Sequence, residues 1–347
     1  PLHYHIGKKR IICYYKLLNN LPSKYYVKIK EIIMKLLVPP MGEQALKQVR
    51  EAAPTVEIVI AENQNDALKK IVDVDAAYGF VTPELIRAGK KLRWVQVGSA
   101  GVESYLFPEL VESDIILTNA KGVYAIHIAE HVMALVLSFS RAINILIHRQ
   151  IDEIWESRAN LPVIEINGLT LGTVGLGGIG LEVAKSAHAL GMRILAVDPT
   201  QTHQPDYVEH LWRLDKLHDM LRESDFVAIC CPLTPQTRHM MSTEEFKCMK
   251  PTAYLINIAR GGIVDQEALI KALEAKEIAG AGLDVTVPEP LPQGNPLWQM
   301  ENVIITPHMA GQSPVSSQRL MTILCENLKR FVNGEPLLTV VDKKLGY

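Results

Sequence analysis

The sequence predicts an α/β protein in which a doubly wound parallel sheet is inserted into a smaller α/β domain. Three observations carry that expectation. From Leu169 onward, short continuous apolar runs alternate with helical segments, the pattern of strands buried on both faces. A shorter alternation of the same kind runs from Met34 to Val97. A last helical stretch, Ser316–Val332, follows the final strand and is expected to return to the first domain.

Leu36–Val38 reads as a strand, Glu43–Ala53 as a helix stopped by Pro54, and Val56–Ile60 as a β-branched strand. Val72–Gly79 and Trp94–Val97 read as further strands, with Pro83 opening a short helix over Thr82–Ala88. Ile126–Ile147 reads as one long apolar helix leading into the second domain. His127, Glu130, His131, Arg141 and Asn144 interrupt it and argue against a membrane span. Strands are then expected at Leu169–Val174, Ile194–Val197, Phe226–Cys231, Tyr254–Ile258, Ala279–Val285 and Val303–Thr306. Helices are expected at Ile179–Leu190, Leu211–Arg222, Thr243–Met249 and Gln266–Ala275. The expected division is 34–133 with 316–347 for the smaller domain and 134–315 for the larger, with a ligand cleft between them.

Composition narrows the class. The chain has 347 residues, a formal net charge of −2 and a hydrophobic fraction of 48%. Mean hydropathy is +0.09. These values suit two domains with real cores, and they offer no basic balance for nucleic acid. No apolar run reaches the roughly 20 residues needed to cross a bilayer. Five cysteines (Cys13, Cys230, Cys231, Cys248 and Cys325) form no CxxC pair and no Cys/His metal spacing. Reduced thiols in a cytoplasmic protein without a metal are expected.

Residues 1–33 differ from the rest. Of the 36 basic and 38 acidic residues, seven and one lie there, so the remaining body carries net −8. The segment lacks the apolar stretch of a signal peptide, and Met34 directly precedes the first strand. The functional protein is expected to start at or near Met34, with residues 1–33 an extension without catalytic duty.

Gly175-Leu176-Gly177-Gly178-Ile179-Gly180 is a GxGxxG that follows a strand and opens a helix, and Asp198 ends the next strand. That context is the dinucleotide fingerprint of a Rossmann-type sheet. Gly175 allows the tight turn, Gly177 lets backbone approach a pyrophosphate, and Gly180 lets helix and sheet pack closely. Phosphates are favoured at the helix N-terminus by free N–H groups and the macrodipole. A carboxylate at 198 suits ribose hydroxyls, and Pro199-Thr200-Gln201-Thr202-His203 contains no Arg or Lys to receive a 2′-phosphate. NAD is therefore expected over NADP.

Three further motifs end strands of the same sheet, where a doubly wound fold gathers ligands. Asn257-Ile258-Ala259-Arg260-Gly261-Gly262 offers Arg260, a planar fork suited to a carboxylate and a carbonyl. Asp284-Val285-Thr286-Val287-Pro288-Glu289-Pro290 holds Glu289 between two prolines, and Ile305-Thr306-Pro307-His308-Met309-Ala310-Gly311 carries His308. Carbonyl reduction needs these types. Hydride reaches the carbon while the oxygen gains charge and takes a proton, which His308 can give. A carboxylate on the other ring nitrogen favours the imidazolium.

With Ser99-Ala100-Gly101-Val102-Glu103, Thr118-Asn119, Ala129-Glu130-His131 and Cys231-Pro232-Leu233-Thr234-Pro235-Gln236-Thr237-Arg238-His239 added, the chain from Met34 onward resembles the D-isomer-specific 2-hydroxyacid dehydrogenases. The resemblance implies a flavodoxin-like substrate domain and NAD-dependent oxidoreduction of a small 2-keto or 2-hydroxy acid. It implies Arg260, Glu289 and His308 as the catalytic set, and Ser99, Ala100, Gly101 and Arg260 as substrate contacts. Cofactor contacts are implied at Gly175, Gly177, Gly178, Ile179, Gly180, Asp198, Cys231, Pro232, Thr237, Ile258, Ala259, Arg260, Asp284, His308, Ala310 and Gly311. A homodimer built through the cofactor domains is implied as well.

Glu103 stands where Asp is common, and Cys230-Cys231 replaces more usual aliphatic or polar residues, which suggests thiol-reagent sensitivity. Glyoxylate or hydroxypyruvate reductases and phosphoglycerate dehydrogenases are the nearest kinds. The latter often add a C-terminal regulatory domain, which is not expected here. Formate dehydrogenases carry Gln where Glu289 stands. The alternative is an NAD-sensing, corepressor-like interaction protein of the same fold. His127, Tyr105, Met309 and Trp298 are candidates for the side-chain pocket.

Overall fold

The computed structural model describes residues 34–346. The expected extension 1–33 lies outside the described residues.

Two parallel sheets carry the chain. The first is built from β1 (Met34–Val38), β2 (Val56–Ile60), β3 (Ala76–Tyr78), β4 (Trp94–Gln96) and β5 (Ile116–Thr118), in the order β2-β1-β3-β4-β5. That is the flavodoxin-like order. Its helices are α1 (Glu43–Ala52), α2 (Gln64–Lys70), α3 (Pro83–Ala88) and α4 (Pro108–Val111). After α5 (Ala125–Ser140) and α6 (Ile143–Ile151) comes the second sheet: β6 (Thr170–Val174), β7 (Arg193–Val197), β8 (His210–Trp212), β9 (Phe226–Ile229), β10 (Tyr254–Asn257), β11 (Gly280–Leu283) and β12 (Val303–Ile305). Its order is β12-β11-β10-β9-β6-β7-β8, all parallel. Counted from β6 this is the doubly wound 3-2-1-4-5-6 order with one strand added, and the winding reverses between β6 and β9. The helices between these strands are α7 (Gly178–Ala189), α8 (Leu217–Glu223), α9 (Thr243–Cys248) and α10 (Gln266–Glu274). Finally α11 (Ser316–Asn333) returns to the first sheet, where Leu324 and Leu328 pack with Leu36, Val38 and Trp94. The second sheet is thus inserted in the first unit.

Burial explains the apolar runs. β6, β9 and β11 are buried along their whole length, as strands covered by helices on both faces must be. One layer places Phe246, Leu269 and Leu273 against Val227 and Leu255; the other places Val132, Val136, Ala184 and Ala187 against Ile194 and Ala228. Each fully buried Leu- or Val-sized side chain contributes about 1.5–3 kcal/mol. α5 lies on α7 in the second layer, with small residues (Ala129, Ala184, Ala187) letting the helices approach.

Several elements differ from the sequence reading. The stretch read as one helix over Ile126–Ile147 is two, bent by 69° between α5 and α6. Ala142 at the break has φ +55° and is fully buried, so packing and not a Gly or Pro signal turns the chain. The helix read over Leu211–Arg222 begins instead as β8, then a 3-10 turn (Leu214–Lys216), then α8. Pairing with the open edge of β7 satisfies backbone groups that a helix there would leave bare. The strand read over Val72–Gly79 is a 3-10 turn at Ile71–Asp73 followed by the three residues of β3. α2, α4 and β5 went unread, being short and weakly patterned. Among the described residues no single helix is long and apolar enough to cross a membrane.

Candidate active site

The C-terminal ends of β6, β7, β9, β10, β11 and β12 bring together all the expected cofactor and catalytic residues of the second sheet. The turn after β6 is built from glycine chemistry. Gly175 has φ +97°, and a Cβ there would lie 2.8 Å from the Cys231 nitrogen, which follows β9. A Cβ on Gly180 would lie 2.1 Å from the Gly175 carbonyl oxygen. Gly177 and Gly178 face open space instead, with no heavy atom within 4 Å of an added Cβ. Gly177 caps α7 without a side-chain bond, so the first N–H groups of the helix are available. An open, Cβ-free cradle at a helix N-terminus fits the pyrophosphate of a dinucleotide.

Asp198 follows β7 and is buried. Its Oδ2 accepts from the Leu176 N–H (2.8 Å); its Oδ1 accepts from the N–H of Thr200 (2.8 Å) and of Gln201 (2.7 Å), and from the Thr200 hydroxyl (3.1 Å). Burial alone would push this carboxyl up. The amides of Gln201, Leu176 and Thr200 outweigh it and hold Asp198 below the ordinary carboxylate value. On the loop after β9, the Thr237 hydroxyl donates to the Pro232 carbonyl (2.7 Å) and accepts from the Thr234 N–H (2.7 Å), which fixes that turn. Burial pushes the Cys231 thiol up to about 12 and Cys230 up as well, so both remain protonated at neutral pH. That protonation opposes the thiol-reagent sensitivity expected from the sequence, because the thiolate is the reactive form.

The exits of β10, β11 and β12 are tied side by side. The Asp284 N–H donates to the Asn257 carbonyl (2.9 Å), and the His308 N–H donates to the Asp284 carbonyl (2.8 Å). The Glu289 Oε1 accepts from the Thr286 N–H (3.1 Å), and its Oε2 lies 2.7 Å from His308 Nδ1. A carboxylate partner places a proton on Nδ1 and leaves Nε2 for a reacting group. His308 has φ +51°, an uncommon conformation for a residue with a Cβ.

A partly buried chain of bonds stands behind that conformation. His131 Nε2 lies 3.0 Å from the Thr306 hydroxyl, which donates to Asp284 Oδ1. Asp284 Oδ1 also accepts from the Met309 N–H (2.9 Å), and Oδ2 from the Ala310 N–H (2.9 Å). The carboxylate therefore holds the two amides directly after His308. Since the Thr306 proton goes to the carboxylate, His131 Nε2 must supply its own proton to the Thr306 oxygen.

Arg260 meets the first sheet. Its Nη1 donates to the Ala259 carbonyl (2.7 Å), and Nε and Nη2 each lie 3.4 Å from a carboxylate oxygen of Glu103. A Cβ on Gly101 would sit 1.7 Å from Nη2, so the guanidinium rests directly on the 99–101 loop. In that loop Ser99 Oγ donates to the Gly101 carbonyl (2.7 Å), Asn119 Nδ2 to the Ala100 carbonyl (2.7 Å) and the Ala120 N–H to the Ser99 carbonyl (2.9 Å). Its carbonyls are engaged, while the N–H groups of Ser99, Ala100 and Gly101 donate to no acceptor among the described residues. A run of free amides beside a guanidinium is an anion site.

Among the pocket candidates, Met309 and Gly311 line a cavity of about 560 Å³ with Gln312, Ser313 and Ser316. His127 is buried behind it, with Ser316 Oγ at 3.4 Å. Tyr105 sits in the 3-10 turn that carries Glu103. Trp298 is half exposed, and its Nε1 donates to the Pro292 carbonyl. Sequence reasoning gave no role to the Glu103–Arg260 pair, the His131–Thr306–Asp284 chain or Arg213. Each depends on partners far apart in the chain or on a strand read as helix.

Fold and site together define an NAD-binding oxidoreductase of two α/β units. The family model for the NAD-binding domain of D-isomer specific 2-hydroxyacid dehydrogenases matches residues 133–310. A D-3-phosphoglycerate dehydrogenase from Methanocaldococcus jannaschii is 34% identical over 315 residues, covering 89% of this chain and 60% of that protein. A glyoxylate reductase from Thermofilum pendens is 32% identical over 323 residues, covering 91% of this chain and 95% of that one. A solved D-isomer specific 2-hydroxyacid dehydrogenase from Xanthobacter autotrophicus, in complex with NADPH, aligns with a TM-score of 0.79 at 29% identity, covering 90% of this chain and 99% of that one. The chain belongs to the D-isomer specific 2-hydroxyacid dehydrogenase family. Its relatives are named as dehydrogenases and reductases, which lends nothing to the corepressor-like alternative.

Proposed function

We propose that the protein reduces a small 2-keto acid such as glyoxylate or hydroxypyruvate to the corresponding 2-hydroxy acid, and catalyses the reverse oxidation. The observation that carries this reading is the free run of Ser99, Ala100 and Gly101 amides packed against Arg260, beside the loops that hold the His308–Glu289 pair. Amides and guanidinium bind the substrate carboxylate, and Arg260 polarises the keto oxygen. NAD(H) supplies or accepts the hydride. His308 Nε2 gives the proton to the developing alkoxide, and Glu289 holds the imidazolium in register. Asp198 and the turn from Gly175 to Gly180 hold the adenosine and pyrophosphate, and the loops at Cys231–Thr237, Ile258–Arg260 and Asp284, with Ala310 and Gly311, line the rest of the cofactor groove. The division into 34–133 with 316–347 and 134–315 is part of the same reading, with the substrate entering between the two.

The test is NADH oxidation by purified protein against glyoxylate, hydroxypyruvate, pyruvate and longer 2-keto acids, with His308→Ala alongside. Turnover that collapses in the variant is expected. Turnover that survives it removes His308 from the chemistry.

Two further parts of the proposal concern assembly and place. Ile147, Ile151, Ile154 and the fully exposed Trp155 form an apolar face on α6 and the loop after it, which no described residue covers. This supports a homodimer through the cofactor-binding units. Sedimentation should give the mass of two copies, and Ile151→Asp with Trp155→Ser should give one; a monomeric wild type overturns it. The four described cysteines are free thiols, in keeping with a cytoplasmic location. Cell fractionation checks that, and recovery in an oxidising compartment refutes it.

A further inference from the structure

The preference for NAD over NADP read from the sequence rests on two premises: a carboxylate at 198 and no cation in the five residues after it. The fold alters both. β8 runs parallel to β7 with Val197 opposite Trp212, and the Asp198 N–H donates to the Trp212 carbonyl (2.9 Å). Register therefore sets Arg213 level with Asp198, although it is 15 residues further along. Arg213 Nη1 donates to the Pro199 carbonyl and lies 3.4 Å from the Asp198 carbonyl. The guanidinium is thus tethered by one nitrogen over the first peptides of the loop that follows the ribose-binding acid. It forms no ion pair among the described residues, and the residue is exposed. Gln201, Thr202, Gln204, Leu211 and Trp212 line a cavity of about 220 Å³ with it.

Asp198 is also less able to discriminate than a free carboxylate would be. Oδ1 already accepts three bonds from its own loop, which fills its lone pairs, and only Oδ2 has capacity left. A ribose diol gripped at both oxygens needs a carboxylate open on both, and the charge of this one is already met by four donors. A neighbouring arginine is the usual device by which this type of site receives a 2′-phosphate.

We propose that the adenosine end of the cofactor groove takes a 2′-phosphate as well as a free 2′-hydroxyl, with Arg213 as the group that receives it, so that the enzyme uses NADP(H) alongside NAD(H). This rests on the reading of the β6–α7 turn and Asp198 as the dinucleotide site.

The test isolates that end of the groove. Calorimetric titration of the full chain with adenosine 5′-monophosphate and with adenosine 2′,5′-bisphosphate compares the two forms of the ribose directly. The bisphosphate is expected to bind within about threefold of the monophosphate or tighter, and Arg213→Gln is expected to weaken the bisphosphate alone by about tenfold or more, the scale of a lost charge-assisted pair. Steady-state rates should follow, with NADPH supporting 2-keto acid reduction in the wild type and losing kcat/KM selectively in Arg213→Gln. Binding of the monophosphate without the bisphosphate overturns the proposal and leaves the NAD reading standing. Equal weakening of both nucleotides in the variant, or of neither, removes Arg213 from the role. Failure of both nucleotides to bind the wild type overturns the dinucleotide site itself.

Discussion

Asp284→Asn tests whether the network around the buried Asp284 carboxylate sets the geometry of His308. The substitution keeps shape and changes one acceptor oxygen into a donor. With the amide oxygen in the Oδ1 position, Thr306 and Met309 keep an acceptor, but the amide NH₂ then faces the Ala310 N–H across 2.9 Å. The flipped amide faces Met309 instead. Either way one backbone N–H next to a residue that is 4% exposed loses its partner. That costs about 1–3 kcal/mol, and the loss of charge assistance on the remaining bonds adds about 1 kcal/mol. Relief from burying a carboxylate acts the other way, but three donors already compensate that burial. The expected loss is about 2–3 kcal/mol against a total stability on the order of 5–15 kcal/mol. Urea denaturation measures it from the shift in midpoint at constant slope. At temperatures where the variant is still folded, kcat should fall by about tenfold or more, since the Asp284 carboxylate holds the two amides that directly follow the left-handed His308 backbone. A midpoint within about 0.5 kcal/mol of wild type would mean that desolvation cancels the bonds. Full kcat in a destabilised variant would mean that the network stabilises the fold without positioning His308.

Three other perturbations have defined outcomes. Glu289→Gln keeps a side chain 2.7 Å from His308 Nδ1 but removes the charge, so kcat should drop by about a hundredfold with KM little changed; an unaltered kcat in steady-state assays would dismiss the pair. Gly101→Ala puts a Cβ 1.7 Å from Arg260 Nη2, so the guanidinium must move by roughly an ångström, and KM for glyoxylate should rise on the order of ten- to a hundredfold while NADH affinity holds. An unchanged KM would detach Arg260 from the carboxylate. Cys231, with its thiol pushed up to about 12, should label slowly with iodoacetamide at pH 8 in the native protein and faster as pH rises toward 10; rapid loss of activity at pH 7 would contradict it. Because an unfolded thiol ionises near 9 and the folded one resists until about 12, the unfolded state sheds protons first, and stability should fall as pH climbs above 9.

Much of this molecule was legible in one dimension. The alternation of buried strands and helices follows from local patterning, so most strands of both sheets and the returning α11 could be read directly, whereas the short β5 and β8 could not. The turn from Gly175 to Gly180 is equally local: its steric demands fall on residues a few positions apart, apart from the contact with Cys231. Arg260, Glu289 and His308 could be picked because each lies on the loop that leaves a strand of one parallel sheet, and such loops gather at one edge of it. Only the tertiary structure decided what those groups touch. Glu103 meets Arg260 across 157 residues and His131 meets Thr306 across 175, separations over which no periodicity carries information. The break at Ala142 and the pairing of His210–Trp212 with β7 are likewise settled by burial and by an open sheet edge, not by the residues themselves. Arg213 shows the consequence most plainly: read within a helix it has no bearing on Asp198, whereas at the end of a paired edge strand it lies against the same loop. Sequence fixes which side chains are available at the strand ends, and packing fixes the distances between them, on which charge, protonation and selectivity depend.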